Sequence, residues 1–315
     1  MDAGELELFA ATVQAAAERR RGADLDSELD ALGWNDALAV DDRAAVSVLF
    51  EAQGALGATS SALDRVLAGA LGLDVDGAAL VLPEIGGIGP SGAIDGVRVD
   101  VTGLLGPARA GAELVVVVAP RGKSFVAITV AAADLTRRAV DGIDPWAGLV
   151  EVRGNAAGEL GADVEWGAGL ATAQRALGHE LVGVSRTMLA LAREHAVERV
   201  QFGRAIAGFQ AVRHRLAETL VAIETADAAL QGAWEDRSPT SAAMAKATAG
   251  RSARLAAKHC QQVLAGIGFT MEHPFHRSLR RAFVLDQLCG SSRTLTHALG
   301  EEVLATRRMP EPLPL

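Results

Sequence analysis

The sequence predicts a mainly α-helical protein with a small β-domain in its middle. Three observations carry that expectation. The 315-residue chain is 50% hydrophobic, rich in alanine and only 4% aromatic, with no tyrosine; alanine has the best intrinsic helix propensity. Apolar residues recur at helical spacing in both the first and the last part of the chain. Between about 81 and 163 the texture changes to β-branched runs punctuated by glycine and proline.

The elements follow in order. Apolar residues at helical spacing mark a first helix over 7–21, and Asp41 is placed to cap a helix over 43–54. Ser60 and Ser61 are candidate caps of the next, which runs to about Gly72. Residues 1–80 are thus expected to form an N-terminal helical domain. Val97-Arg98-Val99-Asp100-Val101 alternates with period two, and Leu114-Val115-Val116-Val117-Val118 and Phe125-Val126-Ala127-Ile128-Thr129-Val130 are short apolar runs. Strands separated by such turns predict a small antiparallel β-domain over 81–163. Long Ala/Leu-rich stretches then cover 168–196 and 206–236. Pro239 restarts a helix that runs to about Leu264, a Gly-rich turn (265–268) ends it, and a last helix is expected over 277–304. Four long helices joined by short loops over 164–315 read as an antiparallel bundle.

Charge and composition exclude several classes. The formal net charge is −9 and no basic block occurs beyond Arg19–Arg21 at a helix end, so nucleic-acid binding has no electrostatic support. No stretch approaches the ~20 apolar residues of a membrane span, and the N-terminus lacks the basic and apolar regions of a signal peptide. Cys260 and Cys289 have no metal-binding spacing, and two cysteines in so long a chain point to a reducing compartment; the cytoplasm is the expected location. Gly87-Ile88-Gly89-Pro90-Ser91-Gly92 matches a dinucleotide-binding glycine pattern, but Pro90 interrupts it and a strand rather than a helix is expected after it, so it reads as a linker. His273 and His276 flank Pro274 with no third ligand nearby, and no metal centre is expected.

Two segments carry more information. The first is Glu198-Arg199-Val200-Gln201-Phe202-Gly203-Arg204-Ala205-Ile206-Ala207-Gly208-Phe209-Gln210, continuing to His214-Arg215-Leu216-Ala217. The second is Gln262-Val263-Leu264-Ala265-Gly266-Ile267-Gly268-Phe269-Thr270-Met271-Glu272-His273-Pro274, continuing to Leu279-Arg280-Arg281-Ala282. In order and separation they resemble the C-terminal helical domain of acyl-CoA dehydrogenases, closely over 166–305 and only weakly over the β-region. The resemblance implies an N-terminal helical domain, a middle β-domain and a C-terminal four-helix bundle. It also implies α,β-dehydrogenation of acyl-CoA thioesters by FAD that lies across a subunit interface. By position, Arg199, Gln201, Phe202, Gln210, Gln262 and Gly266 are then the candidate FAD contacts. Their chemistry suits the role: Arg199 offers a planar cationic fork for a diphosphate, the glutamines offer amide donors and acceptors, and Gly266 permits close backbone approach.

The sequence also departs from that family. The glutamate base, which should follow the second motif, is replaced by Cys289, and the alternative base position on the first long bundle helix falls at Ala173. Glu180, two turns further along, is expected to face elsewhere, and Asp286 is the one carboxylate near Cys289. The Thr/Ser-rich and tryptophan-containing segments that cover the flavin ring in the family are missing from the β-region. No catalytic residue is therefore assigned. The chain is expected to keep the half-site that reaches a neighbour's FAD and to lose the one that holds its own. Such a chain resembles the short, base-lacking subunits of heterotetrameric α2β2 acyl-CoA dehydrogenases of actinobacterial steroid and cholesterol catabolism. The implied partner is a full-length acyl-CoA dehydrogenase subunit, and the implied substrate is an acyl-CoA, with a steroid-derived acyl group among the candidates. An active homo-oligomer with a relocated base and a non-catalytic scaffold subunit are the competing readings.

Overall fold

The computed structural model describes residues 1–75 and 77–309; the final residues of the expected bundle segment, 310–315, lie outside them. Helix α1 (Ala3–Arg19) begins at a capping box in which Asp2 accepts from the Glu5 amide and Glu5 returns to the Asp2 amide. Two short helices, α2 (Ala23–Ala31) and α3 (Trp34–Val40), follow. Helix α4 (Asp42–Leu56) is capped by Asp41 as expected, and α5 (Ala62–Ala70) starts with the Ala62 amide donating to Ser60 Oγ. Their buried faces, including Val13, Leu25, Leu29, Trp34, Leu49 and Phe50, make one apolar cluster that also takes in Ala176 and Trp234.

The middle of the chain forms a sheet of β1 (Ala78–Leu80), β2 (Gly92–Asp95), β3 (Arg98–Leu105), β4 (Leu114–Arg121), β5 (Ser124–Ala131), β6 (Thr136–Ala139) and β7 (Val150–Val164). The strand order is β1-β4-β5-β7-β3-β2, with β6 also on β7. The pairings are antiparallel except one: β1 lies parallel to β4. The expected purely antiparallel domain is corrected there. Between those two strands the chain crosses the sheet through the 81–91 loop and the β2–β3 hairpin, so it re-enters from the same end. The apolar run 114–118 is continuous because both faces of β4 are buried. Val116 and Val118 face the helices, while Val115 and Val117 pack within the curled sheet.

Helix α6 (Trp166–Glu198) is the axis of the molecule, about 50 Å long at 1.5 Å per residue. Every residue from Ala173 to Ser185 is buried, as for a helix surrounded on all sides. It packs on α4 and α5, on α7 (Gln210–Asp236) and α8 (Pro239–Leu264), and on α9 (Phe275–Gln287). Its crossing with α4 is backbone to backbone. A Cβ on Gly54 would sit 2.1 Å from the Glu180 carbonyl oxygen, and one on Gly183 would sit 2.2 Å from that of Glu51. Only glycine at both positions allows that approach.

The expected single helix over 277–304 is two, α9 and α10 (Ser292–Thr306). The break lies at Cys289 and Gly290, at φ +52° and +100°. Asp286 accepts from the Ser292 amide and Ser291 Oγ from the Thr294 amide, so α10 has a start of its own.

Candidate functional site

Helix α6 ends at Arg199, whose carbonyl accepts from the Ile206 amide and closes a small hairpin, β8 (Val200–Gln201) and β9 (Arg204–Ala205). Phe202 and Gly203 form its two-residue turn at φ +52° and +75°. Positive φ at both positions fits the right-handed twist of such hairpins. Phe202 is 92% exposed, supported only by an edge contact to Phe209, over which the Arg204 guanidinium lies at 4.2 Å. Arg199 is exposed, and no carboxylate pairs with it among the described residues. Gln201 is exposed and bonds only its neighbour's carbonyl, and Gln210 opens α7 on the outside.

The second group faces outwards too. Gln262 lines a groove of about 370 Å³ with Arg254, Lys258 and Phe269. Gly266, in the 3₁₀ turn after α8, has open space where a Cβ would be. Phe269 and Met271 beside it are 75% and 61% exposed. No hydrogen bond or ring contact joins the hairpin group to the Gln262 group among the described residues. Both are outward polar patches with unpartnered donors and large exposed apolar side chains, which suits a long ligand laid over the surface under a second subunit.

The interior is different. Cys289 is 1% exposed, and its carbonyl accepts from Gln174 Nε2. Burial pushes its thiol up to about 12, against the pull of Lys246, so it is a neutral thiol. Asp286 is fully engaged: Oδ1 takes the Ser292 amide and Oδ2 takes both Nε and Nη2 of Arg254. Beneath this turn lies Lys246, fully buried, with Nζ donating to the carbonyls of Leu285, Asp286 and Gly290. Burial lowers its ammonium to about 8. Sequence reasoning missed Lys246, although it shares one helical stripe with Ala242, Ala249 and Ala253.

Next to this turn is a partly open cavity of about 60 Å³, bordered by Phe50, Asp64, Leu177, Glu180, Arg281 and Leu288. A flavin ring does not fit in it. Glu180 was expected to face away from the position of Ala173 and does not. Seven residues are nearly two full turns, which returns it to the same face. Its carboxyl is 3.6 Å from Arg281 Nη1, and Arg281 also donates to Asp144 and to the Ala58 carbonyl. Burial raises both Glu180 and Asp64 to about 7, and Asp64 Oδ2 has no protein partner. A second cluster, Glu51, His179 and Asp227, has metal-ligand geometry, but Arg186 pairs with both carboxylates and Trp234 Nε1 donates to His179 Nε2. A guanidinium holds the place a cation would take.

The sequence-predicted FAD contacts thus all lie on the outer surface, and the interior cavity is too small for a flavin ring. The family model for the acyl-CoA dehydrogenase C-terminal domain matches residues 167–304. Acyl-CoA dehydrogenase IpdE2 of Mycobacterium tuberculosis is 39% identical over 132 residues, 42% of this chain and 42% of that protein. Acyl-CoA dehydrogenase FadE34 of the same organism is 41% identical over 123 residues, 37% of this chain and 17% of that protein. Each match spans less than half of its relative. Among solved structures, a Tcur3481-Tcur3483 steroid ACAD variant superposes with TM-score 0.77 at 21% identity, covering 96% of this chain and 99% of that one. The ChsE4-ChsE5 complex from Mycobacterium tuberculosis superposes with TM-score 0.75 at 20% identity, covering 99% of each. Those two likenesses establish the fold over nearly the whole length. The sequence match is confined to residues 167–304, where the chain is similar to the acyl-CoA dehydrogenase C-terminal domain, and the likeness of shape extends over nearly the whole length.

Proposed function

We propose that this chain is the non-base-bearing subunit of a heteromeric FAD-dependent acyl-CoA dehydrogenase. Its Arg199, Gln201, Phe202, Gln210, Gln262 and Gly266 would contact the pyrophosphate and adenosine of an FAD whose ring lies on a full-length partner subunit. The carrying observation is the contrast within one chain between an open, uncompensated Arg199 patch and a narrow interior with Cys289 where the family has its base. Two neighbours in shape are described as pairs, ChsE4-ChsE5 and Tcur3481-Tcur3483, the latter as a steroid ACAD. They support an α2β2 assembly and a steroid-derived acyl group for this chain. The two buried free cysteines agree with a reducing, cytoplasmic setting.

FAD, when bound, would supply the hydride acceptor for α,β-dehydrogenation of an acyl thioester, and a carboxylate would supply the base. In this reading the partner supplies that carboxylate. The present chain binds and orients: Arg199 holds negative charge through a planar fork, Gln201 and Gln262 supply amide hydrogen bonds, Gly266 lets the backbone come close, and Phe202 seals an apolar edge against water. The turn that holds Cys289 moves no proton, because its thiol stays neutral.

The test is Arg199→Ala in the complex co-purified with its partner. Loss of charge-assisted bonds of about 1.5–3 kcal/mol should weaken FAD binding ten- to a hundredfold. Turnover per bound flavin should hold, added FAD should restore activity, and Arg199→Lys should rescue only in part. If Arg199→Ala keeps wild-type FAD occupancy after dilution, the chain does not grip the pyrophosphate and the scaffold reading replaces this one. A relocated base in this chain is favoured by one observation only, Glu180 raised to about 7 beside the interior cavity. That reading requires Glu180→Gln to abolish turnover with flavin content intact.

A further inference from the structure

Away from the FAD-facing patches, a cleft of about 450 Å³ opens between the helices of the first 60 residues and α9. Its walls are the ends of α1 and α4, Thr187 and Leu191 of α6, Trp146 from the β6–β7 connection, and the first turns of α9. It adjoins the interior cavity: Thr59 and Arg281 line both, and Thr187 lies about 10 Å along α6 from Glu180. Arg281, tied to Asp144, to Glu180 and to the Ala58 carbonyl, stands between the two spaces.

The charge in this cleft is unbalanced. Of three arginines on its walls, Arg281 alone has a carboxylate partner, and Asp144, the one acid there, is used by it. Arg21 donates only to main-chain carbonyls, those of Ala17, Arg20 and Leu56. Burial first, and the nearby charge of Arg281 second, lower its guanidinium. Arg21 and Arg281 thus lie near each other, and the one acid lining the cleft, Asp144, is paired with Arg281. Arg277 has only the face of Trp146, at 5.7 Å, and Arg280 lies 5.8 Å from the same ring. The other walls, Leu56, Leu191 and Pro274, are apolar. Guanidinium forks without acids beside an indole and an aliphatic wall match a molecule that is anionic at one end and apolar along its body.

We propose that this cleft is a binding site for an amphiphilic organic anion, its head between Arg21 and Arg277 and its body against Trp146, Leu56 and Leu191. The site is independent of the FAD reading, since it uses none of those residues. Trp146 is 47% exposed, whereas Trp34, Trp166 and Trp234 are buried, so a ligand in the cleft reports through the one accessible tryptophan.

The experiment titrates the full chain, in complex with its partner if it purifies that way, with decanoate and with the neutral decanamide, following tryptophan fluorescence. Decanoate should give a saturable change, bind at least tenfold more tightly than decanamide, and lose its signal in Trp146→Phe. Arg277→Ala should weaken it about tenfold. Arg277 is exposed and, among the described residues, its guanidinium has no ion pair or hydrogen bond beside its place over Trp146, so this variant should keep the parent's urea midpoint, and Arg277→Lys should recover part of the affinity. Equal affinity for acid and amide, no saturable change, or decanoate binding untouched by Arg277→Ala and by Arg21→Ala would each overturn the proposal.

Discussion

Cys289 sits at φ +52°, a conformation that costs a non-glycine residue on the order of 1–2 kcal/mol. Its surroundings over-determine it: Gln174 holds its carbonyl, and Lys246 holds those of its neighbours. The turn presents its side chain inward, and the side chain it presents is a neutral thiol. Cys289→Ala should therefore leave turnover of the complex within about twofold, because a neutral thiol contributes little general-base catalysis. A hundredfold fall in kcat with unchanged flavin content would place the base here after all. At this scale the sequence motifs singled out Arg199 and Gln262, which lie exposed, and Cys289, which lies buried. Glu180 was legible too: two full turns from Ala173 return a side chain to the same face, not to another. The ties of Arg281 to Asp144 and to the Ala58 carbonyl were not, since they join residues 137 and 223 positions apart.

The break between α9 and α10 depends on one buried cation of α8. Lys246 Nζ satisfies three carbonyls at the end of α9 and in the following turn, all of them on buried residues. Lys246→Met keeps the apolar stem and strands those acceptors, so it should lower unfolding free energy by roughly 2–4 kcal/mol. Urea denaturation would show it, and a loss under about 0.5 kcal/mol would mean the turn holds itself. Long elements were legible because apolar periodicity accumulates over many turns: α6, α7 and α8 follow the expected helices closely. Helices α2 and α3, nine and seven residues long, offered too few periods to read. The parallel β1–β4 pairing was hidden because register across a crossover is set by tertiary packing. The small residues at the α4–α6 crossing look like ordinary glycines until the two backbones are seen against each other.

Across the whole molecule, the buried carboxyls set a pH dependence. Asp64 and Glu180 are raised by burial from 3.8 and 4.5 to about 7. They stay protonated in the folded chain over a range in which the unfolded chain ionises them. The stability they allow is fully present below about pH 4 and is lost as pH rises to 7. Carboxyls lowered by arginine, such as Asp30 beside Arg65 and Asp42 beside Arg237, act oppositely and lose their contribution as pH falls below about 4. The urea midpoint should therefore be higher near pH 5 than near pH 7.5, and Asp64→Asn should flatten that slope. A midpoint that climbs steadily from pH 5 to 7.5 in both proteins would contradict it.

The central claim is a division of labour between two chains, and flavin stoichiometry tests it most directly. This chain should be expressed by itself and together with a full-length acyl-CoA dehydrogenase partner, and flavin absorbance measured per polypeptide. The account predicts no bound flavin for the chain by itself. With the partner it predicts one FAD per pair of unlike chains, and acyl-CoA oxidation only in that complex. A homo-oligomer of this chain that is yellow as purified and oxidises acyl-CoA would contradict it.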